Sequence, residues 1–119
     1  MSIPKTIRQW DIFRANLGDD HDCWLLVLSS TETNEILGST VLACEIVPDH
    51  VQKLSPSPLN LPVRTGDTGL GWPASISAMT LASIPRNCLV ALEGRLDSLG
   101  LRAASLRGLQ IMTGTEPWP

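Results

Sequence analysis

Short apolar segments separated by prolines and glycines limit what this chain can fold into. Residues 23–29 form an uninterrupted run rich in leucine and valine, which fits a strand buried on both faces better than a helix. Residues 40–47 are mostly β-branched or apolar and predict another strand. Pro48 ends that strand, because proline has no N–H to donate to a neighbouring strand. Further strands are predicted at residues 8–17, 59–65, 73–84 and 90–96. The pattern predicts a mainly β fold.

One helix is predicted at the C-terminal end. Apolar residues recur at helical spacing from Leu99 to Met112, after an N-cap at Asp97-Ser98 and before a terminating Gly114. We expect Leu106 and Leu109 to lie on the stripe that packs against the sheet. Two connections are also predicted, an irregular one at residues 49–60 and a tight glycine-rich turn at residues 66–71.

The chain has 119 residues, enough for one domain whose core is stable without disulfides. We assign residues 1–115 to that domain and 116–119 to a tail whose prolines prevent the helix from continuing. The three cysteines show no CxxC and no metal-like spacing to the two histidines, so we expect no disulfide, no metal and no cofactor. No signal peptide or membrane-spanning apolar run is present, so we expect a cytoplasmic protein without a membrane partner.

The composition bears on possible partners. Hydrophobic residues make up 43% of the chain and charged residues only 18%, which leaves little polar cover and indicates a buried homodimer face. The net charge of -3 argues mildly against binding to nucleic acid, because phosphates attract basic proteins. Residues 86–107, however, hold four arginines against only Glu93 and Asp97, so this part of the chain is basic.

Several stretches in succession resemble the MazF/PemK toxins. Residues 11–13, Asp-Ile-Phe, match a strand that reads roughly Gly-Asp-Ile-Trp in that family, with Trp10 in place of the glycine. The Thr-Gly-Leu turn at residues 68–70 and the Gly-Arg-Leu at residues 94–96 follow in the family's order. Between them, the residues in register with the family are Ser75, Ile76, Leu81, Ile84, Arg86 and Leu89. The resemblance covers about residues 7–112.

The resemblance implies a small SH3-like β-barrel of the MazF/PemK/CcdB type, mainly β with a C-terminal helix, that forms a homodimer. It also implies the toxin of a toxin–antitoxin system: a sequence-selective endoribonuclease that acts on single-stranded RNA and is held inactive by a cognate antitoxin. The alternative is a catalytically inactive binding module on the same fold that acts on a protein target, as CcdB toxins do with gyrase, or regulates an antitoxin. A chance likeness to an unrelated small barrel is the third interpretation.

This sequence departs from the family at two positions of the expected site. Members usually carry an Arg-Pro pair before the second strand, whose arginine performs the RNA-cleaving chemistry, and a Thr or Ser at the end of the third strand. This chain has Cys23-Trp24 at the first position and Ile46-Val47 at the second. The departure favours the non-catalytic alternative unless the fold brings another arginine into the site.

Three residues are predicted to replace the missing chemistry. Metal-free RNA cleavage needs a proton acceptor at the 2′-hydroxyl, a proton donor at the leaving oxygen and a cation or donor at the phosphate. His21 lies in the loop where the family arginine is expected, and imidazoles exchange protons near neutral pH. Arg64 and Thr65 precede the Thr-Gly turn, where a guanidinium and a hydroxyl can contact phosphate. The competing interpretations are a solvated loop histidine and a solubilising arginine on an edge strand.

Trp72 and Arg86 are the predicted RNA-binding residues. Trp72 follows the glycine-rich turn and can either stack on a base or belong to the core, and Arg86 begins the basic region. We expect Trp24 to serve in packing, and Trp118 to be either disordered or an anchor on a neighbouring chain. Glu45 is explained by strand alternation that leaves it on an exposed face.

Overall fold

The computed structural model describes residues 4–18 and 21–115. Within them, six strands alternate with three α-helices and one 3₁₀ turn. In chain order these are β1 (Asp11–Asn16), β2 (Asp22–Val27), α1 (Thr31–Leu37), β3 (Thr40–Pro48), β4 (Asn60–Val63), α2 (Thr65–Thr68), β5 (Ala74–Pro85), the 3₁₀ turn (Arg86–Cys88), β6 (Leu89–Arg95) and α3 (Leu99–Thr113). Trp118 lies outside the described residues.

The six strands form one antiparallel sheet in the order β4-β5-β3-β2-β1-β6. The two edge strands, β4 and β6, do not pair with each other within the described residues, so the sheet is barrel-like but open. The prediction of a mainly β fold with a C-terminal helix is confirmed.

Strand alternation produces an apolar cluster on each face of the sheet. Successive side chains point to opposite faces, so Leu26 belongs to one cluster while Leu25 and Val27 belong to the other. The outer cluster, which α3 contacts through Leu101 and Leu109, includes Ile12, Leu26, Cys44, Ile46, Ile76 and Leu96. The inner cluster includes Ile7, Phe13, Leu25, Val27, Val41, Ile84 and Leu89.

A bulge lets β5 contribute to both clusters. Ala43 pairs with Ala82 and Glu45 pairs with Ser77, so two positions along β3 correspond to five along β5. Inserted residues bend a strand and interrupt its ladder. The hydroxyl of Thr80 repairs the interruption, because it accepts the Glu45 N–H at 2.6 Å and donates to the Ser77 carbonyl at 2.8 Å.

Trp10 adopts the backbone conformation that usually belongs to glycine. Its φ of 77° is the only positive value of a non-glycine residue in the described ranges, and it occurs where the MazF/PemK strand has its glycine. Such a conformation typically costs about 1–3 kcal/mol and persists only where its surroundings hold it. Here the Trp10 N–H donates to Val27, its carbonyl accepts from Leu96, and Arg102 lies 5.5 Å above the buried indole ring.

Two local predictions need correction. The predicted turn at residues 66–71 begins inside the helical turn α2, because the Asp67 carboxylate accepts the Arg64 N–H at 2.7 Å and Gly69, with a φ of 77°, ends the helix. The prediction for Leu106 is wrong: its side chain is 39% exposed. Helix α3 buries the small residues Ser105 and Gly108 instead, and Leu109 is half-buried against the outer cluster.

Gly108 explains which face of α3 is buried. A Cβ at this position would lie 2.8 Å from the Pro58 carbonyl oxygen and 3.4 Å from the Ala78 Cβ. This close approach requires a residue without a side chain. The backbone of α3 at Gly108 therefore packs directly against the backbone of the connection at Pro58. Gly108 therefore occupies the buried face of α3, while Leu106 is exposed and Leu109 is half-buried.

Replacing Gly108 with alanine should destabilise the protein by about 1–3 kcal/mol, because overpacking outweighs the roughly 1 kcal/mol that alanine gains in helix propensity. Gly100→Ala is the matched control: its added Cβ would meet no atom closer than 3.9 Å. Urea unfolding of both variants checks the prediction. A Gly108→Ala protein as stable as Gly100→Ala would contradict the close packing of α3.

Candidate functional site

A cavity of about 240 Å³ lies where β2 begins and β3 ends. The two strands pair antiparallel, with Trp24 opposite Ile46, so the start of one and the end of the other are neighbours. The polar or ionisable residues of its lining are His21, Asp22, Cys23 and Glu45. The apolar wall consists of Leu17, Trp24, Ile46, Val47, Pro48 and Val51. We call this the β2–β3 cavity; it brings His21 together with a carboxylate 24 positions away in sequence.

Glu45 is a half-buried carboxylate in this cavity. It faces the same side of the sheet as Leu25, its partner in the β2–β3 register, and is thus at the end of the inner apolar cluster. Its carboxylate makes no hydrogen bond or ion pair within residues 4–18 and 21–115. Burial raises the pKa of the Glu45 carboxyl above its ordinary value. The prediction that Glu45 lies on an exposed face is therefore only half right, since the side chain is partly withdrawn from water.

The other face of β2 carries a network of charges. The Arg14 guanidinium donates to the Asp22 carboxylate at 3.0 Å and to the Glu93 carboxylate at 3.2 Å. Glu93 also accepts the Trp24 indole N–H at 2.8 Å. Arg14 is therefore engaged by two carboxylates. No lysine or arginine is among the described residues that line the β2–β3 cavity.

Three aromatic rings form a row beside the cavity. The Trp24 and Trp72 ring centroids are 4.9 Å apart and their planes are nearly perpendicular, and the His50 ring centroid lies 5.7 Å from that of Trp72. Trp24 and Trp72 also pack against the outer apolar cluster, and both are half-buried. His50 is exposed, so the row extends from the core to the surface.

Arg64 lines a different cavity from the one that His21 lines. Arg64 and Thr65 are both exposed at the start of α2, directly after β4. Arg64 lines a cavity of about 530 Å³ together with Asp49, Pro73 and the N-cap of α3, Ser98. We call this the β4–α3 cavity. Only the segment from Pro48 to Val51 contributes to the walls of both cavities. Pro48 and Val51 line the β2–β3 cavity, and Asp49 lines the β4–α3 cavity.

Arg86 lies at the opposite end of β5 from Trp72. Trp72 precedes the strand and Arg86 follows its last residue, Pro85. The Arg86 guanidinium donates to the backbone carbonyls of Pro4 and Lys5, at 2.9 Å and 2.6 Å. The structure thus places His21 and Trp72 near one end of the sheet and Arg64 in the wall of the β4–α3 cavity. Thr65 follows Arg64 at the start of α2 but does not line that cavity, and Arg86 lies away from both cavities.

Two residues of this region were missed by reasoning from the sequence. Glu45 was interpreted as a surface residue, although a carboxylate inside a nine-residue apolar strand was itself a signal. His50 gave no signal, because it lies in the connection after β3 and meets Trp72 only through the antiparallel pairing of β3 with β5.

Within the described part of the chain, no group of three or more His, Cys, Asp or Glu residues is arranged to hold a metal ion. No helix there is both long and apolar enough to span a membrane.

Comparisons with known proteins identify the fold. No protein-family model matches this sequence, and neither does any curated protein sequence. A solved endoribonuclease from a mycobacterial species, in complex with its cognate antitoxin, superposes with a TM-score of 0.72 at 15% identity, covering 98% of this chain and 100% of that chain. A second mycobacterial endoribonuclease gives 0.74 at 14% identity, covering 96% of each chain. A MazE–MazF crystal structure from Deinococcus radiodurans gives 0.72 at 15% identity, with 92% of this chain and 96% of that chain covered. This chain therefore has the fold of the MazF endoribonucleases over nearly its whole length.

Proposed function

We propose that this protein is the toxin of a toxin–antitoxin pair and cleaves single-stranded RNA at the β2–β3 cavity. The observation that carries the proposal is the presence of two titratable side chains, His21 and Glu45, in one cavity of a chain with the MazF fold. A carboxyl whose pKa is raised by burial, as that of Glu45 is, and that lines a cavity is typical of catalytic sites. Metal-free cleavage of a phosphodiester requires such a pair, because one group removes a proton while another supplies one.

The two cavities and the aromatic row suggest a path for the RNA strand. A strand that crosses the segment Pro48–Val51 passes from the β2–β3 cavity to the β4–α3 cavity and meets His50 and Trp72 on the way. Aromatic rings stack on bases without strong sequence preference. In this arrangement Trp72 holds a base, and Arg64 with Thr65 contacts the backbone next to the cleaved bond.

The partners follow from the same proposal. One of the MazF-fold chains was solved with its cognate antitoxin, and we propose that a cognate antitoxin also binds this protein and keeps it inactive in the cytoplasm. We further propose a homodimer. Apolar side chains that are exposed on the single chain, such as Met79 at 66% and Leu42 at 38%, support a face that is covered in the assembly.

A second function is favoured by the charge of the cavity. Asp22 and Glu45 are negatively charged when ionised, and Arg14, which pairs with the lining residue Asp22, is held by two carboxylates. A lining of this kind suits a basic protein segment better than a phosphate. The second candidate is therefore a non-catalytic module on the MazF fold that binds a protein target.

One experiment separates the two functions. The chain is expressed from an inducible promoter with and without its neighbouring gene, while growth and total RNA integrity are followed in the same culture. Endoribonuclease activity predicts growth arrest together with fragmented RNA, both relieved by the neighbouring gene. Purified protein should then cleave a single-stranded RNA oligonucleotide and leave the DNA of the same sequence intact. Growth arrest with intact RNA would instead select the binding module.

A further inference from the structure

The surroundings of His21 and Glu45 in the β2–β3 cavity suit the two side chains to different tasks. At about 240 Å³ the cavity is smaller than the roughly 300–1,000 Å³ typical of pockets for drug-sized ligands, so it suits one ribose–phosphate unit better than a whole nucleotide. Glu45 is half-buried at the end of the inner apolar cluster, and His21 is exposed in the loop before β2. Glu45 is thus partly withdrawn from water, whereas His21 is in contact with it.

We propose that Glu45 is the proton acceptor and His21 the proton donor of RNA cleavage, acting on a single phosphodiester bond in the β2–β3 cavity. This assignment rests on the proposed endoribonuclease function. The half-buried Glu45 carboxylate has only acceptor atoms when ionised, and it makes no hydrogen bond or ion pair in the described part of the chain. The exposed imidazole can be reprotonated from solvent, and its cationic form is the one positive charge that the described lining can supply to the phosphate.

The reaction balances without a metal or co-reactant. The Glu45 carboxylate takes the proton of the 2′-hydroxyl as that oxygen attacks phosphorus. The bond from phosphorus to the 5′-oxygen breaks, and the departing oxygen takes a proton from the His21 imidazolium. The products are a 2′,3′-cyclic phosphate and a 5′-hydroxyl. Transfer of one proton through water from the Glu45 carboxylic acid to His21 restores the starting state.

The surroundings of Glu45 set the pH at which it accepts the proton. Burial is the main cause of its raised pKa. The ionisable neighbours on β2 and its preceding loop are His21, Asp22 and Cys23, and Asp22 is paired with Arg14. On β3, burial raises the pKa of the Cys44 thiol to about 12, so that thiol is neutral. The partners of Glu45 across the sheet, Leu25 on β2 and Ser77 on β5, carry no charge, and neither does Thr80.

Substitution of Glu45 tests the assignment. Glu45→Gln should lower kcat/KM on a single-stranded RNA oligonucleotide by about a hundredfold or more, the range typical of a lost general base. It should also remove the fall in kcat that the wild type shows as the pH drops through the Glu45 pKa. Glu45→Asp should recover part of the rate. Glu35→Gln, on the exposed face of α1, is the matched control and should cleave like the wild type.

Stability and binding measurements exclude a merely structural effect. The pKa of Glu45 is raised on folding, so ionisation of this carboxyl weakens the folded state as the pH rises above the ordinary glutamate value. At pH 7 Glu45→Gln should therefore melt at or above the wild-type temperature, and it should bind an uncleavable 2′-deoxy oligonucleotide as the wild type does. A Glu45→Gln variant with wild-type rate and pH profile would overturn the assignment alone. A wild-type protein that cleaves no RNA would overturn both the assignment and the proposed function.

Discussion

Replacement of His21 by alanine is expected to lower the rate of RNA cleavage by about a hundredfold or more, with little change in the unfolding midpoint. The side chain is exposed on the loop before β2, so its removal leaves no cavity in the core. The loss should appear in kcat, because the imidazole protonates the leaving oxygen only in the transition state. Initial rates on a fluorescent RNA oligonucleotide, together with relief of growth arrest in cells, provide the measurement.

His50→Ala is the natural control, since His50 is the second of the two histidines in the chain. It touches Trp72 and does not line the β2–β3 cavity, so we expect a change in KM with kcat preserved.

The double variant His21→Ala/Glu45→Gln should be little slower than either single variant, because the effects of two groups that act as a unit are not additive. A His21→Ala protein that is as active and as toxic as the wild type would show that the reaction takes place elsewhere, and Arg64→Ala would then become the decisive variant.

The largest expected effect on stability comes from the ion pair between Asp11 on β1, which is buried, and Arg95 on β6, which is half-buried. Asp11 is 1% exposed, and its carboxylate accepts the Arg95 guanidinium at 2.8 Å. Arg95→Met should cost about 3–5 kcal/mol, because it leaves a buried carboxylate without its main charged partner. For a domain whose total stability is roughly 5–15 kcal/mol, this is a large fraction. Chemical denaturation of the two proteins under the same conditions measures the difference.

Two further variants test whether the loss of stability comes from breaking the Asp11–Arg95 ion pair itself. Arg8 also approaches Asp11, but at 3.8 Å and with a 56% exposed side chain, so Arg8→Met should cost less than about 1 kcal/mol. The double variant Asp11→Asn/Arg95→Met removes both charges and should be more stable than Arg95→Met alone. If Arg95→Met and Arg8→Met proved equally mild, the ion pair would not hold β6 to β1.

The Asp11–Arg95 ion pair also shows why the resemblance in sequence pointed to the correct fold. Asp11 belongs to the stretch that matches the MazF/PemK strand, and Arg95 belongs to the matching Gly-Arg-Leu at residues 94–96. The structure joins these two distant stretches by direct contact. Trp10 shows a limit of the same comparison. It keeps the backbone conformation expected of the family glycine although its side chain is large and buried.

The sequence by itself determined the features that depend only on residues close together along the chain. The strand segments, the Ser98 N-cap of α3 and its end at Gly114 were all predicted, because alternation, capping and left-handed termination are local properties. The face of α3 was only partly predicted. Hydrophobic spacing cannot reveal that the Pro58 carbonyl requires Gly108 at the point of closest approach, and this contact leaves Leu106 exposed.

Only the tertiary structure decided which residues share a site. His21 and Glu45 meet because β2 and β3 pair antiparallel, whereas Arg64, which was predicted beside His21, lies in the neighbouring cavity because β4 is at the edge of the sheet beyond β5. The half-burial of Glu45 likewise depends on its place at the end of the inner apolar cluster. Strand order and register arise from contacts between residues far apart in the chain, and a single sequence carries no direct record of those pairings.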